Sequence, residues 1–514
     1  MIIMSTNNKK IQVIGRFFCL LLFACCFLTS CDEWLDVRGE NIEKEQDQFE
    51  TYKGFRDALT GCYMKMGATD LYGQRMTMTD IECLADLWYP ATETGDPAKY
   101  YLSKHDYSKD EPLAAFKNIY ASAFTVITTA NVILKNIEEK GSNITDAKAR
   151  DMIKGEAYAI RAYCQFDLLR LFGQMPQGGS KSVKLPYSYT TAINEMPAYY
   201  DYNEYVNRLE QDIQQAENLL KESDPVFEST FTALNNPGNK VEDDFKYYRQ
   251  SRLNYWAVRA LHARMALYMG KTTEAHTIAM EIINGKGADG NPVITLSGIS
   301  DLQNGYNGLP SECLFYLSKY NVNDYANQVL VGGLDMQVRD YYYSISNDML
   351  NELYASIPGA TASHNRYLNE WNRLAKDVSS RVAPTLKKYW YDESKNSGSN
   401  VLVTKLQIIP MLRLSEMYLI AMETSNSLSE VQSLYDTYMS ACSFTLYTPF
   451  ESLEQAREEI INEYRRELFG EGQMFFTYKR NAATHMLWNN EIIKEDDYII
   501  PLPATEYDPS LIKN

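Results

Sequence analysis

The chain has 514 residues, with 67 acidic side chains against 50 basic ones and a formal net charge of −17 at pH 7. A protein this acidic repels phosphate backbones and anionic headgroups, which excludes nucleic-acid binding and charge-driven membrane docking. Its length exceeds what one hydrophobic core organises, so several lobes or an extended stack of repeating units is expected.

Lys9, Lys10 and Arg16 precede the apolar run FFCLLLFACCFLTS at 17–30. That run is shorter than the ~18 residues needed to cross a bilayer, so it reads as a secretory signal that is removed. Leu28-Thr29-Ser30-Cys31 resembles a lipobox, in which Cys31 is lipidated and becomes the mature amino terminus. At ~0.8 kcal/mol per buried CH₂, three acyl chains hold durably where one does not. Asp32, Glu33 and Asp36 follow at once, and such an acidic cluster resembles the signal for display on the outer face of the outer membrane. The expected organisation is a signal over 1–30, an acidic lipidated tether over 31–48 and a single domain over 49–514.

Residues 70–112 carry five Tyr, three Pro, two Gly and Trp88 and read as an irregular loop region. Next comes a helix over 114–138 with Ile119, Ala123, Val126, Ala130, Ile133 and Ile137 inward. Its partner starts at the capping stretch Asn143-Ile144-Thr145-Asp146 and ends at Gly173 and Pro176. A second hairpin spans 253–283, with Trp256, Ala260, Ala263 and Leu267 on one face and Gly270 as the stop. Ala275, Ile278, Ala279 and Ile282 line its other arm. Alanines at the seam let helices approach closely, as in tetratricopeptide stacks.

GKGADG at 285–290 fits G-x-G-x-x-G by letters alone: a helix precedes it and no helix follows, so it is a turn rather than a nucleotide site. A second irregular region covers 285–400, with short β-like runs at 313–320 and 386–390. A third hairpin pairs 411–424 with 428–442, started by Ser427 and Glu430 as a capping box. In EYRRELFGEGQMFFTYKR (463–480), Glu463 with Arg466, and Glu467 with Arg465 or Arg466, are expected to pair along a helix. Gly470 and Gly472 then turn Phe475, Phe476 and Tyr478 back as a structural lock. The fold class is mainly α, a tetratricopeptide-like helical-hairpin scaffold with long irregular loops and a few short antiparallel strands.

No H-E-x-x-H, G-x-S-x-G or Walker sequence occurs, and the five histidines share no ligand spacing. The cysteines left after Cys31 have no zinc spacing and read as small buried hydrophobes. Tyrosine is over-represented, 39 against 19 Phe. A ring with an apolar face and a polar tip suits half-wet binding surfaces, and long loops on a rigid frame are where binding resides.

Several segments in order resemble the SusD/RagB family of surface lipoproteins: CDEWLDV (31–37), FETYKGFRDALTGCYMKM (49–66), KGEAYAIRAYCQFDLLRLFGQMP (154–176), ALHARMALYMGKTTEA (260–275), LRLSEMYLIAMET (412–424), the 463–480 run and YIIPLPATEYD (498–508). Thr477 stands where the family usually has Asp, and YMSACSF at 438–444 replaces an Arg-rich segment. The resemblance implies a SusD-like α/α superhelix and a non-enzymatic, cofactor-free protein. It would capture oligosaccharides and deliver them to a SusC-like TonB-dependent transporter in the outer membrane. Sugars present flat C–H faces and many hydroxyls, so the expected ligand residues are aromatics with polar neighbours. From the first loop region these are Trp88 and Tyr89 with Asp80, Glu82 and Asp86. From the second they are Tyr306, Tyr320, Tyr325 and Trp371 with Asn323 and Asp324. The competing readings are an oligopeptide-binding lid on the same fold, a surface glycoside hydrolase and a purely structural adhesin.

Overall fold

In the 31-residue helix Asp110–Lys140 (α2), Ala115, Ile119, Ala123, Val126, Ala130, Ile133 and Ile137 recur at helical spacing and are all buried. At ~1.5 Å per residue the helix is about 46 Å long. This is the pattern from which the whole frame is built. The computed structural model describes residues 45–192, 195–238, 241, 243–330, 337–338, 343–377, 380–390 and 407–507. Cys31, the leader and residues 391–400 of the second loop region lie outside the described residues. The chain divides at Glu50, and the unit from Thr51 onward holds every described helix of five residues or more.

That unit starts with α1 (Tyr52–Met66), which packs on α2; α2 packs on α3 (Ala147–Phe172) and α3 on α4 (Tyr202–Ser223). Asp146 caps α3 by accepting the Ala149 N–H at 3.2 Å, within the expected capping stretch. Unlike α2, α3 is buried nearly all round, because α1, α2 and α4 cover it from different sides. Gly155 marks the closest approach: a Cβ there would lie 2.9 Å from Leu220 of α4.

The second hairpin is α5 (Tyr255–Tyr268) and α6 (Thr272–Ile283), separated by Gly270 at φ +75. Ala260, Ala263, Ala275 and Ala279 are fully buried along it, and α6 passes the stack on to α7 (Leu414–Thr424). α7 packs on both α8 (Leu428–Ala441) and α9 (Leu453–Glu467), and α10 (Met474–Arg480) follows. Ser427 caps α8 as expected, accepting from Glu430 N at 3.3 Å. Glu430 does not close a reciprocal box. It accepts from the Ser425 hydroxyl, which in turn accepts the Ser427 N–H.

The longest strands, β1 (Cys313–Ser318) and β2 (Ile408–Arg413), pair antiparallel with Leu317 opposite Ile409. The remaining pairs are two residues long, and one of them, Gln337–Val338 with Lys376–Asp377, is parallel. GKGADG is a turn, closed by a Lys286–Pro292 bridge with Gly290 at φ +78. Cys62, Cys83, Cys164, Cys313 and Cys442 are buried and free.

A polar core locks the C-terminal part of the stack. Arg413, at the end of β2, donates to Glu312 (2.5 Å), Glu467, the Glu467 carbonyl (2.8 Å) and Glu471 (2.6 Å), all buried. Lys388 joins it, donating to Glu471 at 2.6 Å and to the Glu467 and Phe469 carbonyls at 3.0 Å. Of the pairs expected along α9, Glu463–Arg466 forms at 2.9 Å. Glu467 departs from expectation: it faces inward and is taken by Arg413 and Arg366, while Arg465 turns outward to Asn462 and Tyr478.

Candidate functional site

After α1 the chain winds through tight turns from Gly67 to the short helix Asp80–Leu84. Arg75 holds these turns, bonding Asp70 at 2.8 Å and Asp80 at 2.6 Å. Burial nevertheless pushes the Asp80 carboxyl above its ordinary value. Glu82 is fully buried and accepts the Gly472 N–H at 2.6 Å. Gly472 sits at φ +69, where a Cβ would lie 1.9 Å from the Met76 carbonyl oxygen, so only glycine permits this approach. Burial pushes the Glu82 carboxyl up to about 8. Asp86, in the left-handed region at φ +54, accepts from Asn489 at 2.5 Å, and burial pushes it up to about 7. The expectation that these three acids face a ligand is corrected on geometry: each is turned inward onto a protein partner.

The same correction applies to both tryptophans. Trp88 is 4% exposed, donates its indole N–H to the Met78 carbonyl at 3.0 Å, and meets Phe469 edge-on at 5.0 Å. Trp371 is 3% exposed and meets Phe469 edge-on, also at 5.0 Å. Two loop regions nearly 300 residues apart are thus pinned to one ring of the C-terminal motif. An indole offers more area to the core than any other side chain, and edge-to-face packing adds about 0.5–1.5 kcal/mol per pair.

What remains at the surface is a rim. Tyr89, adjacent to the buried Trp88, is 44% exposed, and its backbone N–H donates to the Ser344 carbonyl at 2.8 Å. Tyr343 packs edge-on to Trp88 at 5.8 Å, lies under the Lys99 ammonium at 4.9 Å, and donates its N–H to the Val329 carbonyl at 2.8 Å. Val329 ends the helix Val322–Val329, about 12 Å long at ~1.5 Å per residue. Just before the start of that helix, Lys319 donates to the Gly67 carbonyl at 2.7 Å and lies over the Tyr325 ring at 4.5 Å. A hydrogen bond with Thr69, aided by Lys319, holds the Tyr325 phenol below its ordinary value. Tyr320 is 77% exposed, Asp324 is exposed, and Asn323 and Tyr325 are half-buried.

Tyr89 of the first region is thus linked through Ser344, Tyr343 and Val329 to the helix Val322–Val329, which with the residues just before it carries Tyr320, Asn323, Asp324 and Tyr325 of the second. No hydrogen bond or ring contact among the described residues ties the half-buried Tyr306 to that rim. Thr69, Lys319 and Ser344 brace the rim, and of the three only Lys319, next to Tyr320, carries a local signal in the sequence. Clefts of about 570, 420 and 260 Å³ share no lining residue with the rim. Among the described residues no group of three or more His, Cys, Asp or Glu side chains converges as metal ligands do. The rim can offer flat ring faces, phenol hydroxyls, an amide, a carboxylate and an ammonium group to an extended hydrophilic ligand.

Residues 33–234 match a SusD-like family described as "Starch-binding associating with outer membrane", and residues 341–507 match the SusD family. No curated protein matches the chain. Among solved structures, a SusD superfamily protein from Bacteroides thetaiotaomicron is 20% identical, with 89% of this chain and 98% of that one covered and a TM-score of 0.65. A putative sugar binding protein from Bacteroides vulgatus is 19% identical, with 89% and 96% covered and a TM-score of 0.62. A laminarin binding SusD-like protein is 16% identical, with 89% and 97% covered and a TM-score of 0.63. At these identities the structures speak for the shared fold alone; the two sequence matches, which together cover most of the chain, make it a member of the SusD/RagB family.

Proposed function

We propose that the protein is a non-catalytic, lipid-anchored glycan receptor on the cell surface that captures oligosaccharides at the Tyr89–Tyr320–Tyr325 rim. It then delivers them to a SusC-like TonB-dependent transporter in the outer membrane. What supports this reading is that two exposed tyrosines from distant loop regions, Tyr89 and Tyr320, sit on segments joined through Ser344, Tyr343 and the helix Val322–Val329 and braced by Tyr89–Ser344 and Lys319–Gly67. Ring faces stack on sugar C–H faces, and the phenols, Asn323 and Asp324 supply hydrogen-bond partners for hydroxyls. The family description and the laminarin-binding relative support a glycan as the ligand class. The lipobox at Cys31 supports the anchor, and no helix of the described residues is long and apolar enough to cross a membrane.

An oligosaccharide array on the purified protein tests the reading. Tyr89→Ala with Tyr320→Ala should weaken the best ligand by about five- to a hundredfold, since two lost stacking contacts at ~0.5–1.5 kcal/mol each total about 1–3 kcal/mol. Unchanged affinity removes the rim as the site. Copurification from membranes tests the transporter: a β-barrel protein should come with it, and its absence refutes the partnership. Release of reducing ends from a bound polysaccharide would overturn the non-catalytic assignment.

A further inference from the structure

Most buried arginines of this acidic chain hold carboxylates: Arg161 with Asp212, Arg249 with Asp224 and Glu156, Arg264 with Glu416, Arg413 with three glutamates. The 420 Å³ cleft between α7, α9 and the segment after α10 is different. Arg457 and Arg465 lie two turns apart on one face of α9 and both line it, and neither pairs with a carboxylate among the described residues. Arg465 donates Nε to the Tyr478 hydroxyl at 2.9 Å and Nη1 to Asn462 at 2.6 Å, which aims the guanidinium and leaves Nη2 uncommitted. Arg457 has a single 3.5 Å contact, to Asn426. Glu423 is the one carboxylate lining this cleft, and both its oxygens are taken by Arg480 at 2.5 and 2.7 Å.

The cleft is therefore net positive within a protein of charge −17, and its volume falls in the range of ~300–1,000 Å³ usual for small-molecule sites. We infer that it binds an oxyanion group, a carboxylate or a sulfate, carried on a small saccharide. Guanidinium forks match such planar or trigonal oxygens, and Asn426, Asn481, Thr424 and His485 on the walls suit hydroxyls. That the anion arrives on a sugar rests on the binding function proposed above; that the site takes an anion rests on the two arginines alone.

Calorimetric titration with methyl glucuronide, a 6-sulfated hexose and neutral methyl glucoside tests it. At least one charged sugar should bind at least tenfold more tightly than the neutral one at low salt, with the advantage shrinking as salt screens the pair. Whichever charged sugar binds names the oxyanion. Arg457→Gln with Arg465→Gln should remove the advantage while leaving neutral oligosaccharide binding at the Tyr89–Tyr320 rim intact. Arg457→Gln alone, at an exposed position, should give a partial loss with an unchanged melting temperature. Equal binding of charged and neutral sugars, or an advantage that survives the double substitution, overturns the inference while rim binding stands. Binding of an acidic peptide but of neither charged sugar also overturns it. If no saccharide binds anywhere, the receptor reading falls as well.

Discussion

Replacing Glu82 with Gln should stabilise the protein, and more so as pH rises. The carboxyl is fully buried against the Gly470–Gly472 turn, and burial moves it from an ordinary 4.5 up to about 8. Between those values the folded chain binds a proton that the unfolded chain has released, so wild-type stability falls with rising pH across that window. At ~1.36 kcal/mol per pH unit, the cost is below about 1 kcal/mol near pH 5 and reaches about 3 kcal/mol near pH 7. Gln carries the same acceptor for the Gly472 N–H and has nothing to titrate. Urea unfolding of both proteins at about pH 5 and about pH 7 should show the gap widening by about 2–3 kcal/mol in favour of the variant, with equal slopes. A gap that stays constant or narrows would refute the assignment of Glu82 as a buried, proton-holding latch.

Trp88→Ala should lower stability by about 3–5 kcal/mol, as expected for a buried aromatic whose loss opens a cavity, whereas Tyr89→Ala should change ligand affinity with little effect on the melting temperature. Paired melting and binding curves separate the two neighbours. Arg413→Met should cost about 3–5 kcal/mol by leaving Glu312, Glu467 and Glu471 buried without their shared cation, read by urea titration. Lys479 is fully buried and donates to the Arg170, Leu171 and Gly173 carbonyls at the end of α3, at 2.8, 3.3 and 2.7 Å. Lys479→Met keeps the bulk but not the donors, and should cost about 1–3 kcal/mol with faster hydrogen exchange over the last turn of α3.

The hairpins are legible in the sequence because a stripe such as Ile119–Ala123–Val126–Ala130 is set by the helix's own 3.6-residue repeat and needs no knowledge of what covers it. The inward turn of Trp88 is not legible, because it depends on Phe469, a residue 381 positions away whose ring collects both indoles. The partners of Glu467 are illegible for the same reason. Local spacing nominates Arg465 and Arg466, yet the tertiary fold delivers Arg413 and Arg366 from other elements. For the proposed ligand face, composition and loop length nominate regions but not the side that each ring presents. Neighbours along an irregular segment alternate between inside and outside, as Trp88 and Tyr89 do.

The pinning of both loops onto Phe469 separates two tasks that most binding loops must share. The buried Trp88 keeps the backbone in place, so the outward Tyr89 beside it can be exchanged without unravelling what supports it. An outer ring such as Tyr89 is therefore free to differ from one family member to the next on an unaltered foundation.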